Sequence, residues 1–296
     1  MQGKLRTSNL PIAHSELILR PDGSIYHLGI RPEHVASKII IVGDPERVPM
    51  ISRLFDQVEF QVASREFVVH TGTFQGKRIT VVSSGIGVDN IDILINELDA
   101  VMNIDLQTRM VKPEITQLEI VRIGTSGALQ ADIPTGSFVA SKFAFAVDGV
   151  PLSYSSQHND KESIVFEQLK SQFNWLSEQN SLYVASCDDS LLDRIGFDFY
   201  QGITATANGF YGPQGRSLRL QSDMETRIDQ YAGFSMDNYR ITNFEMECAG
   251  IYALASMLGH KALTVCAILA NRATKEFHNN PSASIESLIS TVLQRF

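Results

Sequence analysis

Six short apolar runs rich in β-branched residues constrain this chain more than any other feature. They are KIIIVG (38–43), RITVVSS (78–84), LEIVRIG (118–124), SFVAS (137–141), ITATA (203–207) and ALTVCAIL (262–269). Runs of this length and composition suit strands buried on both faces. Helical periodicity fills the spaces between them. After Asn90, a candidate N-cap, Ile91, Leu94, Ile95, Leu98, Val101 and Met102 form one stripe, and Ile285, Leu288, Ile289, Val292, Leu293 and Phe296 form another at the C-terminal end. A third helix is expected after Glu247, with Ala249, Tyr252, Ala253 and Ser256 packing and Gly259 as its stop. Strands alternating with helices predict an α/β fold around a mostly parallel or mixed sheet. No repeat, low-complexity tract or Pro/Gly-rich linker divides the 296 residues, so a single domain is expected.

Composition removes several classes of function. Against 25 Lys and Arg stand 33 Asp and Glu, so no broad positive field exists for a nucleic-acid backbone, although a few converging arginines can still bind an anion. Cys187, Cys248 and Cys266 are odd in number and widely spaced, which fits a reducing cytoplasm rather than a disulfide framework or zinc site. The histidines show no ligand spacing, and no metal is expected. The first residues lack an apolar signal core, and no apolar run approaches the about 18 residues of a membrane span.

In open α/β sheets ligands bind where loops leave the carboxyl ends of strands. Four such places carry unusual chemistry. In GDPER, Gly43 allows close backbone approach to an anion and Arg47 supplies a fork of donors one turn later; an ordinary turn with a solvated arginine is the alternative. In RIGTSGA, Arg122 interrupts an apolar strand and must meet a carboxylate or a ligand anion, while Thr125, Gly124 and Gly127 offer a hydroxyl and exposed N–H groups. In NFEMEC, Glu245 and Glu247 point the same way if extended, a pattern suited to a cis-diol with Met246 against the sugar, but acids also favour a helix N-terminus. In FYGPQGR, whose glycines and proline exclude a helix, Phe210 can stack on a planar ring, the Gln214 amide can read adjacent carbonyl and N–H groups, and Arg216 favours an anionic ring oxygen. A surface loop is the competing reading.

Taken in order from about residue 25 to 275, IYHLGI, GDPER, ASREF, SSGIG, RIGTSGA, FYGPQGR, NFEMEC and the final ANR (270–272) resemble the nucleoside phosphorylase superfamily and, within it, the uridine phosphorylase branch. The resemblance implies one α/β domain over 26–296, built on a mixed, partly closed sheet flanked by helices, behind an N-terminal extension over 1–25. It implies a cytoplasmic pentosyltransferase of pyrimidine salvage that splits uridine with inorganic phosphate, needs no cofactor and contacts neither nucleic acid nor membrane. Gly43, Arg47, Arg122 and Thr125 would bind phosphate, joined by Arg65 from a neighbouring subunit of a homo-oligomer. Glu245, Met246 and Glu247 would hold the ribose, with His27 reaching it from the partner. Phe210, Gln214, Arg216 and Arg272 would recognise the base; Arg122, Gln214 and Arg216 carry the catalytic roles.

The resemblance leaves rivals. A purine nucleoside phosphorylase would carry an acid after the late strand, where this chain has Ala270, Asn271 and Arg272. A nucleosidase would use water in place of phosphate, and a non-catalytic module would bind nucleosides without cleaving them. Two departures stand out: Asp89 and Asn90 occupy the family's frequent Pro-Ser position, and both the stretch 103–117 and the first 20 or so residues look like additions to compact members.

Overall fold

A computed structural model describes residues 1–7 and 10–296. Ten strands longer than two residues carry the fold: β1 (Lys38–Val42), β2 (Gln57–Ser64), β3 (Phe67–Phe74), β4 (Lys77–Ser83), β5 (Glu119–Ala128), β6 (Phe138–Ala146), β7 (Tyr183–Ser186), β8 (Tyr200–Thr206), β9 (Tyr239–Glu245) and β10 (Lys261–Asn271). Five of them close on themselves. β5 pairs β10 in parallel, β10 pairs β6 antiparallel, β6 pairs β8 and β8 pairs β9 in parallel, and β9 returns antiparallel to β5. From the open side of β5 the sheet runs on through β1, β4, β3 and β2. The expected mixed, partly closed sheet is therefore present, flanked by eight α-helices among the described residues.

The junction of ring and open sheet creates a gap. Glu119–Ile123 of β5 pair with β1, whereas Gly127 and Ala128 pair with β9. Between them Gly124, Thr125 and Ser126 are laddered on one side only, to β10. A strand that changes partner leaves backbone donors and acceptors open at the change, and ligand sites form at such switch points.

The ring interior is unusual in carrying a polar ladder. Ser141 and Thr204 hydroxyls lie 2.6 Å apart, Thr204 donates to Asn243 at 2.9 Å, and the Asn243 amide donates to Ser126 at 3.0 Å. All four residues are buried, so each hydrogen bond avoids an unpaired polar group. The ladder ends in the wall of the gap.

Several expectations require correction. RIGTSGA is not a loop after a strand; β10 runs alongside it for its whole length and keeps it extended to Ala128. Asn90 does not cap its helix, which spans Val88–Asn103: Gly87, at φ +98°, turns the chain directly into the first turn. FYGPQGR contains one 3-10 turn, Gly212–Gln214, stopped by Gly215 at φ +65°. Strands β2, β3, β7 and β9 lie outside the six predicted runs. The third helix, Cys248–Met257, is buried nearly all round, and a Cβ on Gly250 would meet Val88 of the neighbouring helix at 2.5 Å.

The two added segments hold each other. Arg109, buried and at φ +60° beyond the small Ile104–Asp105/Met110–Val111 pairing, donates from Nε to the Ile12 carbonyl at 2.7 Å and from Nη2 to those of Ala13 at 3.0 Å and Leu17. Ile12 N–H returns a bond to the Arg109 carbonyl at 2.8 Å.

Candidate active site

A cavity of about 720 Å³ opens at the gap and collects residues from every motif singled out above. Gly43, Arg47, Arg122 and Thr125 line it from the ends of β1 and β5; Glu245, Met246 and Glu247 from the end of β9; Phe210, Gln214 and Arg216 from the loop after β8.

Arg122 is the centre of charge. Its side chain runs forward along β5 over Gly124, where a Cβ would stand 2.9 Å from Cζ. The guanidinium reaches Glu247 through Nη2 and lies 3.1 Å from Glu245 through Nη1, while Nε is buried with no partner. The arginine thus meets carboxylates, and its side chain also lines the cavity. The two carboxylates push its pKa upward, so it stays a cation despite full burial. Two acids facing one cation leave a surplus negative charge. Burial, together with the neighbouring Glu245, raises the pKa of Glu247 above the ordinary carboxylate range, although Arg122 opposes this. Glu247 also accepts the Gly87 N–H at 2.7 Å, which ties the Val88–Asn103 helix to the cavity.

Arg47 presents a different environment. It begins a short helix, Arg47–Ser52, and has only Asp44 near it, at the 4.0 Å limit of an ion pair. Desolvation lowers its pKa, and Arg122 adds repulsion, but a guanidinium remains charged. Two cations converging in one cavity, one of them without a close counter-charge, make a receptor for an anion.

At the other end the Arg216 guanidinium lies 4.0 Å from the Phe210 ring centre and donates to Gln214 Oε1 at 2.6 Å and to the Phe210 carbonyl at 2.7 Å. Gln214 is buried, whereas Phe210 is 51% exposed. Arg272 is not in the cavity lining but stands behind it, donating to the Gly215 carbonyl at 3.3 Å with its guanidinium 5.9 Å from the Phe244 ring. Asn271 is occupied structurally: its amide donates to the Gln130 and Ile133 carbonyls, and its oxygen accepts from Ala273 and Thr274. Ala270, Asn271 and Arg272, which end β10 and follow it, carry no carboxylic acid; Glu276 pairs back onto Asn271 but is exposed and does not line the cavity.

His27 and Arg65 do not line this cavity. They share a separate patch, where the Ser64 hydroxyl donates to the His27 carbonyl at 2.5 Å, His27 Nδ1 lies 2.6 Å from Glu97, and Arg65 faces the Tyr26 ring at 5.8 Å. Arg65 occupies the tip of the β2–β3 hairpin at φ +56° and is exposed, and the next residue, Glu66, lines the cavity. Sequence reasoning missed Glu66, Asn90, Ser126, Phe244, Leu269, Ala270 and Phe277, all in the lining. Glu66 in ASREF, Ser126 in RIGTSGA, Phe244 in NFEMEC and Ala270 in ANR sat inside quoted motifs, whereas Leu269 and Phe277 offered no signal.

Among the described residues no cluster of three or more His, Cys, Asp or Glu has the arrangement of a metal site, and no helix is long and apolar enough to cross a membrane.

Comparison with known proteins agrees with this geometry. The uridine phosphorylase of Thermococcus kodakarensis is 33% identical over 259 residues, covering 86% of this chain and 80% of that protein. The uridine phosphorylase of Haemophilus influenzae is 26% identical over 272 residues, covering 86% and 89%. A solved Trypanosoma brucei nucleoside phosphorylase, described as showing uridine phosphorylase activity, superposes with a TM-score of 0.84 at 25% identity, over 94% of this chain and 98% of that one. The model of the Phosphorylase superfamily matches residues 37–294, and with a switch-point cavity carrying three arginines and a paired acidic motif, the chain belongs to that superfamily.

Proposed function

We propose that this protein is a uridine phosphorylase, a pentosyltransferase that converts uridine and inorganic phosphate to uracil and α-ribose 1-phosphate. The observation that carries the reading is the convergence of an arginine pair, an acidic turn and a Gln-Arg loop in one cavity. Gly43, Arg47, Arg122 and Thr125 hold phosphate. Met246 and Glu247 hold the ribose, with Glu245 beside them, and Phe210, Gln214 and Arg216 receive the base with Arg272 behind them.

The reaction needs no nucleophilic side chain. As the C1′–N1 bond stretches, the ribosyl group gains oxocarbenium character, which bound phosphate stabilises before attacking C1′ from the opposite face. Glu247, aimed into the same space, holds the sugar hydroxyls and fixes C1′ against the phosphate. Electron density moves onto the departing base, where Gln214 and Arg216 stabilise it. Ala270, Asn271 and Arg272, in place of an acid directly after the strand, support a pyrimidine over a purine, because a purine leaving group is helped by a proton at that side.

The active form is a cytoplasmic homo-oligomer in which Arg65 and His27 complete a neighbour's site; their patch lies outside the cavity of their own chain, in keeping with that role. The catalytic domain spans 26–296, with 1–25 as an N-terminal extension. No cofactor takes part. Incubation with uridine with and without phosphate, and with inosine in parallel, tests the reading by absorbance. Phosphate-dependent release of uracil with inosine inert is expected; release from inosine alone, or without phosphate, overturns it. Mixing R65A with R122A subunits should restore activity if sites are shared.

A further inference from the structure

Glu245 is enclosed by its own protein. Oε1 accepts from the Thr206 hydroxyl at 2.7 Å and the Cys248 N–H at 3.0 Å; Oε2 accepts from Glu247 N–H at 2.8 Å and Cys248 N–H at 3.0 Å, and lies 3.1 Å from Arg122 Nη1. Its side chain is 1% exposed. A carboxylate offers about four acceptor sites, and here the protein takes them. A sugar hydroxyl reaching Glu245 would have to displace one of these donors.

Thr206 fixes the arrangement. It is the register partner of Glu245 across the β8–β9 ladder. Its hydroxyl accepts from the Ala249 N–H at 3.0 Å, in the first turn of the Cys248–Met257 helix. A backbone N–H can only donate, so the hydroxyl proton is committed to Glu245. One side chain therefore locks two strand ends and a helix start around the carboxylate that faces Arg122.

We infer that Thr206 is a positioning residue for phosphate binding: it orients Glu245, and Glu245 in turn holds the Arg122 guanidinium and the Glu247 backbone rather than touching substrate. This rests on the phosphate role of Arg122 proposed above. Thr206 shares the buried core of β8 with Thr204, but the two hydroxyls serve different ends, since Thr204 belongs to the ladder inside the ring.

The test is steady-state kinetics of full-length T206V, T206S and R122Q, varying phosphate at saturating uridine and the reverse, with phosphate binding followed directly by calorimetry. T206V keeps the side-chain shape and removes both hydrogen bonds. Its phosphate KM is expected to rise roughly tenfold or more while the uridine KM moves less than about threefold, and T206S, which keeps the hydroxyl, is expected to return phosphate KM to within about threefold of the parent. If T206V does not fold, T206A, which also lacks the hydroxyl, is read in the same way. An unchanged phosphate KM in T206V, equal shifts in both KM values, or T206S as impaired as T206V overturns the inference. R122Q separates the two levels: if it leaves phosphate binding unchanged, the phosphate role of Arg122 falls, whereas a loss in R122Q without one in T206V removes Thr206 alone.

Discussion

The two ends of the cavity are built by opposite means. At the end proposed for phosphate and ribose, Arg122 within β5, Glu245 at the end of β9 and Glu247 just beyond it are buried and bonded to one another and to backbone N–H groups. At the base end, Gln214 and Arg216 ride on a loop whose Phe210 is half in solvent, and they bond chiefly to each other. An enclosed network holds its charges at fixed distances, so little reorganisation is left to the reaction step. A loop with a surface aromatic can shift, and suits recognition of a planar ring that must enter and leave. On the proposed function, chemistry sits on the ring and selection on the loop.

That contrast can be broken at several points. The largest effect is expected for R122Q, which leaves two buried acids facing each other: kcat/KM should fall by about a thousandfold or more, with a lowered melting temperature. Steady-state kinetics and a thermal melt measure both. G124A should follow, because a Cβ would press into the Arg122 guanidinium and displace it. A cost of about 1–3 kcal/mol is expected, read as a raised phosphate KM together with a lower unfolding midpoint in urea. Q214A should act at the other end only, raising uridine KM about tenfold and leaving phosphate KM in place. Equal changes in both would mean that the ends are coupled and the contrast fails.

The smallest effect is in pH. Glu247 binds its proton more tightly in the folded chain than an ordinary glutamate does. It therefore adds stability at acid pH that is lost as pH rises through its raised value. Holding ribose requires the ionised form, so uridine kcat/KM should fall with acidification from a higher pH than a free glutamate would impose. Activity and this share of stability run in opposite directions, and E247Q should remove the pH dependence of both.

Much of the site was legible in the sequence where a residue conflicted with its surroundings. Arg122 inside an apolar strand and two acids at i and i+2 are such conflicts, and both lead to the cavity. Glu66 and Asn90 carried no conflict, since each is an ordinary polar residue in a hairpin tip or helix and reaches the cavity only through tertiary packing. The ring strands were only partly legible for a related reason. β9 reads YRITNFE, and its polar positions make sense only once Asn243 is seen bonding to Ser126 on the adjacent β5. β2 reads QVEFQVAS, a pattern of an edge strand with solvent on one side, which a search for continuously apolar runs passes over. Oligomer contacts leave no such mark, which is why Arg65 and His27 enter by resemblance alone.

Arg109 shows how an addition to a fold becomes permanent. Its partners at Ile12, Ala13 and Leu17 are all main-chain carbonyls, and no carboxylate lies within ion-pair distance of it among the described residues. Recognition of this kind is indifferent to which side chains the first segment carries, so that segment is free to vary in sequence while its path stays fixed. Trimming it would strand a cation that has no other neutral or anionic host, and trimming the 103–117 stretch would leave three carbonyls bare. The two pieces are interdependent, and removing both would also leave the buried Glu162 without the Met1 amino group that it pairs with at 2.7 Å.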